Sequence, residues 1–162
     1  MTAAEVRRAG PGDAAAIADI YNQGILARTA TFETEPRTPE DVARWFERGD
    51  LIVVSLGEGG IEGFASAHAY RPRACYDGVR EFSVYVHPRA QRRGHGRALL
   101  HALIAEARAQ GAWKLLARIF PENTTSRKLC RAAGFREVGT YERHGKLDGR
   151  WLDCVIVEKL ID

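Results

Sequence analysis

Apolar positions along the chain change period several times, and each change marks an element. In AAAIADIYNQGILAR, residues 14–28, Ile17, Ile20, Tyr21 and Ile25 recur at helical spacing behind Asp13, an acid placed where a helix cap belongs. TPEDVARWFERG, residues 38–49, predicts a second helix with Thr38 as cap, Pro39 at the first helical position, acids in the first turn and Gly49 at its end. GRALLHALIAEARAQG, residues 96–111, is a third, closing on Gly111, and PENTTSRKLCRAAGF, residues 121–135, holds a loop and a fourth. Between them lie β-branched or alternating runs that read as strands: EVRRA (5–9), LIVVSL (51–56), IEGFASAHAY (61–70), REFSVYV (80–86) and WKLLARIF (113–120). Residues 136–161 read as two more strands around a glycine-rich turn, and TATFETEP (29–36) and RPRACYDGV (71–79) break the pattern as loops. Several strands follow one another with no helix between, so the order predicts an α/β protein with a mixed sheet flanked by helices rather than a fully parallel one. With no repeat, linker or low-complexity segment in view, a single domain over residues 1–162 is expected.

Composition narrows the class. Apolar residues at 45% and charged residues at 28% are ordinary for a folded domain. A net charge of +3, with no basic tail, suits an anionic small ligand as well as it suits nucleic acid. Cys75, Cys130 and Cys154 are odd in number and form no C-x-x-C pair, which argues against a disulfide framework or a zinc site and for a reducing cytosol. The first twenty residues are broken by charges and by Pro11 and Gly12, and no apolar run approaches the ~20 residues of a membrane span, so a cytoplasmic protein with no membrane partner is expected.

VHPRAQRRGHGRALLHALI, residues 86–104, carries the chemistry. It sets Arg89, Arg92, Arg93 and Arg97 around Gly94 and Gly96 at the mouth of a helix. The first N–H groups of a helix lack intrahelical partners and sit at the positive end of its dipole. Glycines there let an oxyanion approach the backbone, and arginines add charge, so the stretch reads as a phosphate cradle. A solvated basic loop is the plainer reading of the same residues. By spacing alone, Q-x-x-G-x-G is a weak pattern.

VYVHPRAQRRGHGRALL followed by PENTTSRKLCRAAGF resembles the GCN5-related N-acetyltransferases, whose acetyl-CoA signature is Q/R-x-x-G-x-G/A after a strand, then an Asn at the next helix and a terminal Gly-Phe. IYNQGILARTATFETEP, REFSVYVHPRAQRRGHG and GKLDGRWLDCVIVEKLI extend the resemblance over nearly the whole chain, toward the branch that acetylates phosphinothricin, methionine sulfoximine or arsinothricin. The resemblance implies a mostly antiparallel central sheet with a splayed strand pair, the strand at Ser83–Val86 parting from its neighbour at a bulge. It implies acetyl-CoA as co-substrate, no metal, and a homodimer. Val84, Tyr85 and Val86 would meet the acetyl and pantetheine groups. Arg92, Arg93, Gly94, His95, Gly96 and Arg97 would cradle the pyrophosphate. Asn123 and Ser126 would hold the pantetheine arm, although Asn123 also reads as a plain helix cap.

Glu81, two residues before Ser83, matches the branch's glutamate and is the expected general base; a surface glutamate paired with Arg80 or another cation is the alternative. Arg73 and Tyr76 match substrate residues of the branch and could clamp an anionic group, with Arg71 a weaker candidate. Phe32 matches an aromatic near the amino-acid substrate; core burial and loop packing are the competing readings for Phe32 and Tyr76. Cys130 stands where many relatives carry a tyrosine acid, and reads better as a packed thiol. Asp148 stands where some phosphinothricin enzymes have a histidine, and His144 does not align with it. In the C-terminal motif, which also includes Lys146, Trp151 reads as packing and Asp153 as either a base partner or a structural hydrogen-bonder.

The expected function is therefore acetyl-CoA-dependent N-acetylation of a small amino acid or analogue. A protein N-terminus, another amine such as a polyamine, or a silent acyl-CoA sensor are the alternatives. A polyamine site should be acidic, whereas RPRACY is basic. A nucleic-acid partner is not expected, because the arginines gather at one helix mouth instead of spreading over a face with stacking aromatics.

Overall fold

The computed structural model describes residues 4–162, so residues 1–3 of the expected domain lie outside the described residues. Its strands are β1 (Glu5–Arg8), β2 (Leu51–Gly57), β3 (Gly60–Ala69), β4 (Val79–Val86), β5 (Lys114–Ile119), β6 (Arg136–Leu147) and β7 (Arg150–Leu160). Its helices are α1 (Ala14–Ala27), α2 (Pro39–Glu47), α3 (His95–Ala109) and α4 (Thr124–Ala132). The strands form one seven-stranded sheet in the order β1-β2-β3-β4-β5-β7-β6. Among the described residues only the β4–β5 pair is parallel, as befits strands joined through a helix, α3.

Both faces of the sheet are covered. On one, Ile17 and Ile20 of α1 and Val42 of α2 pack on Ile52, Val54 and Phe64. On the other, Leu99, Leu100 and Leu103 of α3 pack on Leu51, Val53, Phe82 and Leu115. This two-sided burial explains why β2 reads LIVV, a continuous apolar run instead of an alternating one. A third, smaller cluster holds Phe120, Leu147 and Cys154, with Phe32 and Leu152 against it, under the β6–β7 hairpin.

The ends of the elements follow local chemistry, with one departure. Thr38 and Asp41 form a reciprocal capping box at α2, at 2.8 and 3.1 Å. Asp148 and Gly149, with φ of 51° and 78°, make the two-residue Asp-Gly turn that suits a tight hairpin. Asp13 precedes α1 as expected, but its side chain makes no cap bond. It accepts from Arg7 at 2.8 and 3.0 Å and from the Gly10 N–H at 2.9 Å, closing a short turn (Pro11–Asp13) that ties β1 to the helix.

The central strands part. β4 pairs with β5 only from Val79–Lys114 to Glu81–Leu116. Beyond that point β4 stays with β3 up to Val86–Gly63, and β5 stays with β7 up to Ile119–Val155. The expected bulge in β4 is absent: its register with β3 runs without a shift, and the shifts that occur lie in the β2–β3 and β6–β7 pairs. Two continuous half-sheets diverge, so no inserted residue is needed to open the gap. The closed end is fastened where Trp113 and Lys114 N–H both donate to the Gly78 carbonyl, at 2.8 and 3.2 Å. Trp113 packs so tightly there that a Cβ on Gly78 would come within 2.0 Å of its ring. On the β5 side, Glu158 of β7 accepts from Lys114 at 2.5 Å and from Arg136 at 2.5 and 2.9 Å, stapling β5, β7 and β6 together. The Lys114 ammonium, with Arg136 beside it, holds that carboxyl below the usual range.

Candidate active site

The gap exposes one edge of β4. His87 N–H donates to the Glu62 carbonyl and the Val79 carbonyl accepts from Tyr70 N–H, so odd-numbered residues of β4 turn their backbone groups toward β3. The Gly78 carbonyl, by contrast, accepts from Trp113 and Lys114, so even-numbered residues turn theirs toward β5. At Val84 and Val86 no strand of β5 is there to meet them. Buried backbone donors and acceptors are costly to leave unmade, so this edge is prepared for an extended polar chain.

Two helix N-termini face the same opening. A cleft of about 860 Å³ is lined by Val84, Tyr85, Val86, the segment from Gln91 to Arg97 without Arg93, and Asn123 to Ser126 of α4. At the α3 mouth, Arg92 and Gly94 both have positive φ, 63° and 85°, which folds the loop into a concavity of N–H groups ahead of the helix. Gly96 has open space: an added Cβ would approach nothing nearer than Leu129 at 3.4 Å. Packing within the protein therefore does not by itself require a glycine there.

A buried polar network holds this mouth in place. His95 Nδ1 meets the Ser55 hydroxyl at 2.9 Å, so its ring is held inward and buried. Glu62, 5% exposed, accepts from Arg89 at 2.7 Å and from the Gly59 N–H at 2.9 Å. Burial pushes the Glu62 carboxyl up, but these two donors outweigh it and hold it below the usual range. Arg89 thus anchors the loop, while Arg92 and Arg97 line the cleft. Ser55 and Glu62 had a sequence signal, polar residues inside apolar strands, that points to an internal partner.

Asn123 is a helix cap, and it also faces the cleft. Its Oδ1 caps α4 by accepting from the Ser126 N–H at 3.1 Å, and the residue lines the cleft. Its Nδ2 also reaches the Thr29 carbonyl at 3.3 Å, tying the segment after α1 to the α4 mouth. Arg28 and Asp148, both with positive φ, pair at 3.0 Å and join the end of α1 to the β6–β7 turn across the cleft. Nothing in the sequence announces that pair. Tyr85 lines the cleft, but its ring stacks on Phe64 at 5.4 Å and meets Tyr21 edge-on at 5.2 Å, and burial pushes its phenol well up.

The cleft narrows into a slot through the sheet where β4 and β5 diverge, lined by Ser83, Val84, Arg118, Ser126, Leu129 and Cys130 among others. Behind Arg118, which lines the slot, Glu81 accepts from that side chain twice on one oxygen, Oε2, from Nε at 3.0 Å and Nη2 at 2.6 Å. Glu81 is thus paired with a cation, and the cation is Arg118 rather than Arg80. Phe32 meets Phe120 edge-on at 4.9 Å, beside the cleft and not among its lining residues.

Residues 19–135 match the Acetyltransferase (GNAT) family. The chain belongs to that family. It is 36% identical to the L-amino acid N-acyltransferase of Escherichia coli, over 97% of this chain and 94% of the relative. It is 35% identical to the L-methionine sulfoximine/L-methionine sulfone acetyltransferase of Salmonella typhimurium, over the same shares. A phosphinothricin acetyltransferase of the GNAT superfamily from Sinorhizobium meliloti, solved with acetyl-CoA, superposes with a TM-score of 0.91 at 33% identity, covering 99% of this chain and 89% of that one. The protein is accordingly an acyltransferase.

Within this GNAT frame the remaining residues fall into place. Cys130 lines the slot, yet burial pushes its thiol up to about 12, so at neutral pH it is a poorer acid than a free thiol near 8.5 and fits the packing role. Arg73 and Tyr76 are not among the cleft's lining residues and stand in the exposed loop between β3 and β4. Arg73 lies over Tyr76 at 5.9 Å and Tyr76 meets Tyr70 edge-on at 5.5 Å. Trp151, read as packing, does not pack inside the chain: it is 54% exposed, with the Lys146 ammonium 4.5 Å above its ring. Asp153 accepts from the Arg143 N–H at 2.7 Å, the structural one of its two readings. No helix among the described residues is long and apolar enough to cross a membrane.

Proposed function

We propose that the protein transfers the acetyl group of acetyl-CoA to the α-amine of a small amino acid or analogue of the phosphinothricin, methionine sulfoximine or arsinothricin type. The observation that carries this reading is convergence. Two helix N-termini and the unpaired edge of β4 open on one cleft, and that cleft runs through a slot to the Glu81–Arg118 pair. The N–H groups of Gly94, His95, Gly96 and Arg97, with the guanidinium groups of Arg92 and Arg97, suit a pyrophosphate. Arg93 would contribute long-range charge only. The backbone of Val84 and Val86, with Asn123 and Ser126 opposite, suits the amide-rich pantetheine arm and the thioester carbonyl.

The chemistry then asks little of the protein. Glu81 takes a proton from the substrate ammonium, directly or through water. The nitrogen bonds to the thioester carbonyl carbon, the C–S bond breaks, and the sulfur leaves with its electron pair and picks up a proton. Holding the amine against the thioester supplies much of the rate. Phe32, beside the cleft, and Arg73 and Tyr76, in the loop outside it, would bound the far end of a substrate that reaches past the slot, Arg73 offering a planar fork to a second anionic or strongly polar group.

A panel of amines with acetyl-CoA, followed by free-thiol release, tests the reading. The three analogues should turn over faster than peptide N-termini or polyamines. Preference for peptides would give the site to a protein substrate, and no turnover of any amine would leave an acyl-CoA-binding protein.

Homodimerisation belongs to the same proposal. β6 is the outer strand, twelve residues long, and it and its neighbour expose Val138, Tyr141 and Trp151. Such an edge calls for a cover. Sedimentation should give a dimer; a monomer at micromolar concentration removes this part. The exposed thiol of Cys75 suits the reducing cytoplasm proposed for it.

A further inference from the structure

We infer that the Glu81–Arg118 pair is the receptor for the head group of an α-amino acid, with Arg118 binding the α-carboxylate while Glu81 receives the ammonium. The inference rests on the proposed function and adds to it the residue that selects α-amino acids from other amines.

The geometry is specific. Arg118 spends Nε and Nη2 on a single carboxylate oxygen, Oε2 of Glu81. Glu81 Oε1 and Arg118 Nη1 have no hydrogen-bond partner among the described residues. The two side chains differ in access: Arg118 is 47% exposed and lines the slot, whereas Glu81 is 13% exposed. A half-exposed guanidinium facing a slot is reachable by a solute, and a bidentate partner for it must be a planar oxyanion. An α-amino acid carries an ammonium and a carboxylate on one carbon. Laid antiparallel along the pair, it sets ammonium against Oε1 and carboxylate against Nη1, and every charge then has an opposite neighbour.

The position also fits the reaction. Arg118 stands on β5 where β5 has just left β4, and the unpaired edge of β4 begins on the other side of the slot. A carboxylate held there keeps the adjacent amine next to Glu81 and in line with the thioester. Arg73 cannot serve this end, because it stands in the exposed loop against Tyr76, apart from the slot. Two arginines are therefore available for two ends of the substrate, Arg118 for the carboxylate on the α-carbon and Arg73 for the distal anionic or strongly polar group. An ordinary stabilising ion pair is the competing account of Glu81–Arg118, and it predicts no preference tied to the substrate's carboxylate.

The test compares L-methionine sulfoximine with its α-carboxamide, which keeps the amine and shape but not the charge, in the parent, Arg118→Ala and Arg118→Lys. The parent should favour the acid over the amide by about tenfold or more in kcat/KM, the worth of one charge-assisted hydrogen bond or better. Arg118→Ala also frees Glu81, so both substrates slow down, but the acid-to-amide ratio should fall to within about twofold, since the common loss cancels in the cycle. Arg118→Lys keeps charge without the fork and should fall between. KM for acetyl-CoA should stay within about twofold in all three, because the phosphate and pantetheine contacts lie elsewhere. A ratio that survives Arg118→Ala, or a parent indifferent to the carboxylate, overturns the clamp while leaving α-amine acetylation standing. A parent that acetylates no α-amino acid overturns the functional reading and the clamp with it.

Discussion

Gly96→Glu should abolish detectable acetyl-CoA binding while leaving the fold intact. Gly96 is the second residue of α3, and a side chain there meets only Leu129, at ordinary contact distance. A glutamate in the first turn of a helix is electrostatically favourable, by about 0.3–1 kcal/mol. Thermal unfolding should therefore move little or slightly upward. The same carboxylate, however, occupies the mouth that the Gly94-to-Arg97 N–H groups and the two lining arginines prepare for an anion. It satisfies those donors from within and repels a pyrophosphate. Losing two charge-assisted hydrogen bonds, at roughly 1.5–3 kcal/mol each, raises the dissociation constant by at least about a hundredfold. Gly96→Ala, adding one methyl at the edge of Leu129 contact, should cost far less. Calorimetry decides: a Gly96→Glu protein that binds acetyl-CoA like the parent places the phosphates elsewhere.

That prediction could be framed from the sequence, and the reasons it could be are instructive. Gly94 and Gly96 at a strand-to-helix junction are a local signal, because the loop, the helix mouth and the arginines are contiguous in the chain. The seven strands and four helices were legible for the same reason: periodicity and caps are properties of neighbouring residues. What failed to show lies between distant ones. Arg118 pairs with Glu81 from 37 residues away, and Arg28 with Asp148 across almost the whole chain. Such partners depend on β5 lying beside β4 and on the hairpin folding back toward α1, neither of which any period encodes. Arg118 lies in WKLLARIF, a segment that reads only as a strand, and sheet order is what brings it to the slot. Asp13 holds the cap position read for it, but Arg7 takes its carboxylate, and Trp151 meets Lys146 instead of the interior of its own chain. The bulge expected in β4 came with the family resemblance, and two intact half-sheets that diverge open the gap without it.

Glu81→Gln should lower kcat by about 10²-fold at neutral pH, the usual scale for losing a general base. The substitution is nearly isosteric, and the amide oxygen can still accept from Arg118, so the slot should keep its shape and acetyl-CoA its affinity. What is lost is the acceptor for the substrate's proton. An α-ammonium is mostly protonated at neutral pH and cannot attack until the proton leaves. In the variant, only the small fraction of free amine reacts, so its rate should climb steeply as the medium grows alkaline. The deficit against the parent should then shrink, until near the amine's own pKa the two enzymes approach each other. A merely structural Glu81 would give a different result, a deficit of the same size at every pH, because a distorted slot is no less distorted in base. The pH–rate profile of kcat from neutral to alkaline therefore separates the two. Parallel profiles would assign Glu81 to holding Arg118, and a profile in the variant identical to the parent's would remove it from the reaction altogether.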